Sequence, residues 1–222
     1  MHARYEFIVR AWEALGPHIR RAHLQPVGAA WPAFAAGQYL KVRGEDGRAA
    51  CFSIASAPGS DTIELHIEAQ AGSMTAPLLA QRHRDGLPIA VEMPFGACTL
   101  SGTRGPVLFV AGHSGFAQAK SLLDQLCIDA HASSAALLWS GDADYEHANA
   151  DALRRYTERL DFRYRSIRPD APPEARSAAL SEVLRQFQRD TPTGTVVVSG
   201  SRELTQAVLR HGLTVKSDML PG

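Results

Sequence analysis

A strand that ends in a glycine turn and continues as a helix can hold phosphate, and Pro106-Val-Leu-Phe-Val-Ala-Gly-His-Ser-Gly-Phe-Ala-Gln-Ala-Lys-Ser-Leu-Leu123 has that pattern. Gly112 and Gly115 let the backbone approach an anion without a Cβ in the way. The N–H groups of Gly112, His113, Ser114, Gly115 and Phe116 are then expected to face a pyrophosphate. The same turn admits a second chemistry. Gly112-His-Ser-Gly115 is close to a Gly-x-Ser-x-Gly nucleophile elbow, and Ser114, Asp142 and His211 follow in an order that suits a hydrolase triad. Against that reading, the second elbow glycine would fall at Phe116, too bulky for the tight turn, and no oxyanion loop is evident upstream.

The elements that must position this turn fall into two halves. Up to about Leu100 the sequence reads as short alternating strands, over Tyr5–Arg10, Tyr39–Arg43, Phe52–Ala55, Thr62–Ala69 and Ile89–Glu92, which predicts a small antiparallel barrel. One helix, Ala76–Arg84, interrupts them, with Thr75 expected as N-cap and Pro77 in the first turn. From Gly105 the rhythm changes to alternating strands and helices. The strands are Val107–Ala111, Ala135–Ser140, Phe162–Ser166 and Thr195–Ser199; the helices are Phe116–Leu126, Ala150–Arg159, Ala178–Arg189 and Glu203–Arg210. That alternation predicts an α/β parallel sheet. The expected domains are residues 1–101 and 105–222, with Arg168–Ala175 as a surface loop.

Composition narrows the function classes. Lys+Arg and Asp+Glu balance at 23 each with no long run of one sign, so neither nucleic acid nor a membrane surface is an expected partner. The first residues are charged and no apolar run approaches spanning length, which predicts a soluble, cytoplasmic protein. Cys51, Cys98 and Cys127 are too far apart for a zinc knuckle or an iron–sulfur loop. No metal site is expected, so any redox cofactor is organic or comes from a partner. His66 reads as a packed or edge histidine, Cys51 as a buried structural cysteine, and Phe52 and Ser53, taken alone, as ordinary strand residues.

In order along the chain, Gly37-Gln-Tyr-Leu40, Cys51-Phe-Ser-Ile-Ala-Ser-Ala-Pro58, Glu64-Leu-His-Ile67, Gly72-Ser-Met-Thr75 and Pro94-Phe-Gly96 are followed by the turn at 112–116, Val198-Ser-Gly-Ser-Arg-Glu-Leu204 and Ser217-Asp218. This series resembles the ferredoxin–NADP reductase superfamily, in particular its NAD(P)H:flavin oxidoreductase branch, over nearly the whole chain. The resemblance implies an antiparallel Greek-key barrel of the flavin-binding type ahead of a nucleotide-binding α/β domain. It also implies hydride transfer from a nicotinamide to flavin N5, with electrons passing on to an acceptor or partner protein. Ser53 would then be the catalytic residue beside N5, and Cys51, Phe52 and Ile54 would flank the flavin, FAD or FMN, bound or as substrate. The amides of Gly72, Ser73, Met74 and Thr75 would hold flavin phosphate, and Gly200 would leave room for the nicotinamide.

The departures from the pattern fall on ligand positions. Ala50 stands where the family has an arginine on the flavin phosphate, with Arg48 two residues back, and His113 stands where the turn has a glycine. Asp142 replaces a common arginine at the adenosine end, which disfavours a 2′-phosphate and predicts NADH over NADPH. Met219-Leu-Pro-Gly222 lacks the aromatic that often covers the flavin. The alternative to a working reductase is therefore a catalytically degenerate relative serving as a binding or regulatory subunit, with the serine hydrolase third.

Overall fold

The computed structural model describes residues 2–28, 31–44, 47–69, 72–129 and 134–220. Residues 3–95 form a six-stranded antiparallel sheet from β1 (Ala3–Ala14), β2 (Ile19–Pro26), β3 (Tyr39–Arg43), β4 (Ala49–Ser53), β5 (Ile63–Glu68) and β6 (Ile89–Phe95), in the order β4-β3-β6-β1-β2-β5. Its two edges are drawn together by a bridge between Ile54 and Leu65 and by the Ala55 amide donating to the Glu64 carbonyl at 2.7 Å. The inward residues of each strand, among them Phe7, Leu24, Leu40, Ile63, Leu65 and Val91, fill the barrel with the apolar side chains that alternation demands. The helix α1 (Thr75–Asp85) closes one end by burying Ala76 and Leu79.

The second sheet is parallel, from β7 (Val107–Gly112), β8 (Ser134–Ser140), β9 (Asp161–Ser166), β10 (Thr195–Ser199) and β11 (Val215–Lys216), in the order β11-β10-β7-β8-β9. Helices α2 (Phe116–Asp129), α3 (Ala143–Ala148), α4 (Ala150–Arg159), α5 (Pro173–Asp190) and α6 (Arg202–Leu209) connect its strands. Because the chain moves from β7 outward to β8 and β9, then returns to lay β10 on the other side of β7, the strand order reverses between β7 and β10. The carboxyl ends of those two strands therefore open a crevice, the usual ligand position in open α/β sheets. The two halves share one core: Leu15, Ile19, Ala36 and Cys98 pack into the cluster of Phe109, Phe116, Leu122 and Trp139.

Three elements were not expected from sequence. The strand β2 hides its alternation because Arg20, Arg21 and His23 separate inward residues as small as Ala22, yet it pairs with β1 on one side and β5 on the other. The short α3 and the two-residue β11 lack a periodic signal of their own. Elsewhere the bounds differ. The strand expected at Phe52–Ala55 is β4, three residues earlier at its start, and α5 begins at Pro173, so the expected loop is shortened at its far end. A proline in the first helical turn lacks only an N–H that the helix does not need there. Thr75 is the first residue of α1 and not its cap; the Ser73 hydroxyl accepts from the Ala76 amide at 3.3 Å instead.

Candidate functional site

Two cavities meet at the carboxyl ends of β7 and β10. One, of ≈ 450 Å³, lies between the sheets and is lined by Tyr39, Cys51, Phe52, Ser53, Gly200 and Asp218 among others. The other, of ≈ 740 Å³, lies over the strand ends of the parallel sheet, with Gly112, His113, Ser114, Leu138, Arg176 and Arg210 in its wall. Both sizes are those of small-molecule sites. Ser114, Gly200 and Glu68 border both cavities.

The turn after β7 is a tight 3-10 turn over His113–Gly115, and its glycine is required by packing. A Cβ on Gly115 would lie 2.4 Å from the Ser199 carbonyl oxygen, and one on Gly200, at φ +134°, 3.1 Å from the Gly112 backbone nitrogen and oxygen. Gly200 therefore lets the ends of β7 and β10 touch, where the sequence suggested space for a nicotinamide. The Phe116 N–H is turned back onto the His113 and Ser114 carbonyls and offers nothing to a ligand. Its ring is fully buried and stacks on Trp139 at 3.9 Å, and the Trp139 indole N–H donates to the His113 carbonyl at 3.2 Å.

His113 holds φ +45°, left-handed for a residue with a Cβ, which costs about 1–2 kcal/mol. Glycine would relieve that strain and lose about 0.5–1 kcal/mol to chain entropy. His113→Gly should therefore raise the melting midpoint by up to about 2–4 °C. A lowered midpoint in differential scanning calorimetry would show that the imidazole makes contacts worth more than the strain.

On the barrel side, Ser53 pairs with Tyr39 across β4 and β3, and both face the inter-sheet cleft. Phe52 is half-buried, packing on the barrel core while bordering the cleft. Cys51 is exposed at the cleft, contrary to the buried cysteine expected. Ile54 is fully buried in the barrel and faces no ligand space, because it makes the bridge that closes the sheet. The Gly72–Thr75 turn lines neither cavity. The Ser73 hydroxyl is occupied by the Ala76 amide, and Met74, the N-cap of α1, is exposed.

The proposed hydrolase triad is not assembled. Ser114 donates to Glu68 Oε1 at 2.6 Å, Asp142 Oδ1 accepts from the Tyr145 amide at 2.9 Å as the cap of α3, and His211 Nε2 pairs with Ser181 Oγ at 3.4 Å. Asp142 borders a separate depression of ≈ 360 Å³ with His113 and Arg168. Asp218 is a strap. Its Oδ1 accepts from the amides of Ala97 and Cys98 and its Oδ2 from the Gln118 side chain, pinning the tail to the barrel. Burial, with the Asp218 charge adding to it, pushes the Cys98 thiol up to about 12. The tail read as lacking an aromatic runs on into residues 221 and 222, which lie outside the described residues.

No family model matches the chain. It is 32% identical over 193 residues to the reductase component 1 of terephthalate 1,2-dioxygenase from Comamonas sp, a match covering 84% of this chain and 56% of that protein. The chain thus spans little more than half the length of that relative. Among solved structures, the flavohem-like FAD/NAD binding domain of nitric oxide dioxygenase from Vibrio cholerae O1 biovar El Tor superimposes with a TM-score of 0.74 at 14% identity, over 96% of this chain and 97% of that one. Ferredoxin-NADP+ reductase from Plasmodium falciparum gives 0.75 at 11% identity, over 96% of each chain. The chain shares the two-domain fold of these structures.

Beneath the junction lies a polar network that sequence reading missed. Lys120 of α2 donates to Glu64 Oε2 of β5 at 2.8 Å and to Asp124 at 3.0 Å, and Asp124 also accepts from Tyr156 and Arg155. His66 links Glu64 Oε1, at 2.8 Å from its Nε2, to the Tyr145 hydroxyl, at 2.5 Å from its Nδ1. Burial alone would raise the Glu64 carboxyl, but the His66 hydrogen bond and the Lys120 charge outweigh it and hold the group well below the usual carboxylate range. Burial also depresses His66, more than its bond to Glu64 raises it, so the ring is neutral at pH 7. A neutral ring donating from Nε2 to Glu64 and accepting at Nδ1 from Tyr145 satisfies all three groups. The available signals were Glu64 and His66 on one strand face and Lys120 and Asp124 one helical turn apart. No helix among the described residues is long and apolar enough to cross a membrane.

Proposed function

We propose that the chain is the flavin- and nicotinamide-handling part of an NAD(P)H-dependent oxidoreductase, delivering electrons to a partner such as an oxygenase or an iron–sulfur protein. Residues 1–101 serve as its flavin-side domain and 105–222 as its nucleotide-side domain. The observation that carries the reading is the inter-sheet cleft at the strand-order reversal, with Phe52 and Ser53 on one wall and Ser199 and Gly200 on the other. The cleft fits an isoalloxazine in kind: aromatic faces from Tyr39 and Phe52, a hydroxyl from Ser53, and a volume in the range of small-ligand sites. A flavin there, FAD or FMN, would supply the two-electron acceptor for the nicotinamide and a donor for the partner.

The chain's own residues bind and orient. The amides of the His113–Gly115 turn are proposed to receive the dinucleotide phosphates, and the ≈ 740 Å³ cavity the adenosine end. NADH is the donor expected from the sequence position of Asp142, which caps α3 beside the smaller depression and does not line the larger cavity. Arg176 and Arg210 in the larger cavity favour NADPH as the second reading, and the ratio of kcat/KM for the two nucleotides decides between them. A degenerate, non-catalytic role is supported by Ala50, half-buried on β4 where a flavin-phosphate cation is missing, and by the His113 side chain in the turn.

Fluorescence titration of the purified chain with FAD and FMN, followed by NADH oxidation in the steady state, tests the proposal. Micromolar flavin binding with turnover is the expected result. Binding of neither flavin, with no NADH oxidation, would leave the degenerate reading standing in its place.

A further inference from the structure

The phosphate turn carries an acidic side chain from the opposite sheet. Glu68 is the last residue of β5, and its Oε1 accepts from the Ser114 hydroxyl at 2.6 Å, in the middle of the His113–Gly115 turn. Glu68 borders the inter-sheet cleft, the cavity over the strand ends and the smaller depression beside Asp142, so it stands where the three meet. A ligand whose two ends occupy the first two cavities has to pass Ser114 and Glu68. We propose that Glu68 is an internal latch: its carboxylate takes the hydrogen bond that the turn would otherwise give to a phosphate, closes the passage between the two cavities, and lowers affinity for dinucleotides. The inference rests on the nucleotide-binding reading above and goes beyond it by naming the residue that limits affinity.

The physical case has two parts. Ser114 has one hydroxyl proton, so a phosphate oxygen and the Glu68 carboxylate compete for it. A fixed negative charge within a few ångströms of a diphosphate also repels it, and repulsion at a partly enclosed site amounts to a factor of about ten in affinity. The contact joins β5 of one sheet to the turn after β7 of the other, so releasing it also loosens one tie across the cleft.

Glu68→Gln separates the charge from the hydrogen bond, because the amide oxygen still accepts from Ser114. ADP-ribose and NAD+ serve as redox-inactive probes, titrated calorimetrically into the parent and Glu68→Gln, with FMN titrated in parallel. The latch predicts that Glu68→Gln binds ADP-ribose about tenfold more tightly, a larger gain than FMN shows because only the dinucleotide has to pass Ser114, and that Glu68→Ala, which also frees the Ser114 hydroxyl, binds it more tightly still. Equal ADP-ribose affinity in parent and Glu68→Gln, or weaker affinity in the variant, overturns the latch while leaving nucleotide binding intact. Failure of every form to bind either probe overturns the nucleotide reading itself, and the latch with it.

Discussion

Lys120→Met should unfold about 3–5 kcal/mol more easily than the parent, because it removes the cation from a buried pair and leaves the anion behind. The Lys120 and Glu64 side chains are each only 10% exposed, and Lys120 is the group through which β5 of the barrel is joined to α2 of the parallel half. Methionine replaces the aliphatic stem at similar volume, so the loss reads the charge and not a cavity. Asp124 keeps Arg155 and Tyr156, which leaves Glu64 as the stranded carboxylate. Urea denaturation at pH 7 measures the effect. Adding Glu64→Gln to Lys120→Met should recover part of the loss, since the stranded charge is then gone. A loss under about 1 kcal/mol would mean that water reaches the pair and screens it.

The same network sets the acid limit of the fold. The Glu64 carboxyl is depressed below its ordinary 4.5, so its contribution is present above that value and is lost as pH falls through the folded-state value. His66 is depressed below its ordinary 6.5, so the unfolded chain takes up that proton first and stability begins to fall as pH drops below 6.5. Both slopes have one sign. The parent should lose stability gently from pH 6.5 and steeply below 4.5, and Glu64→Gln should remove the steep part.

The chain signals most clearly those elements whose burial follows a period. Alternation exposed β1, β3, β5 and β6, and the apolar run Val107–Ala111 ahead of glycines exposed β7 and the turn. It failed for β2, whose paired arginines and small inward Ala22 dilute the alternation, and β2 is held by its two neighbours and not by its own propensity. Ser53 and Ser114 were legible as candidate residues because short motifs carry them, and the structure places both at the inter-sheet cleft. Gly200 stood out for its place in the motif, and its missing Cβ also serves the contact with Gly112, which sequence does not show. The Glu64–His66–Lys120–Asp124 network could not be read because its members are 56 residues apart across the halves, and only the packing of α2 on β5 brings them together. Local sequence holds no term for that contact.

Ser53→Ala should slow flavin reduction by NADH about tenfold to a hundredfold in a single turnover, if the proposed reductase reading holds. Four serines border the inter-sheet cleft: Ser53, Ser114, Ser199 and Ser217. Ser114 is committed to Glu68, Ser199 to the Gly115 carbonyl at 2.8 Å, and Ser217 to Thr205 and the Met219 amide. Among the described residues, Ser53 alone of the four makes no side-chain hydrogen bond, so its hydroxyl can be given to a ligand atom without breaking one. A hydroxyl fixed on a sheet strand is already oriented, and the benefit of that orientation appears in the rate more than in ground-state affinity. Flavin affinity in Ser53→Ala should therefore stay within about twofold of the parent, because Phe52 and Tyr39 still supply the aromatic faces. Ser53→Thr keeps the hydroxyl and should restore most of the rate, an outcome that a purely packing role for Ser53 does not predict. Stopped-flow reduction of the three forms at saturating NADH separates the cases, and an unchanged rate in Ser53→Ala would move the hydride path away from β4.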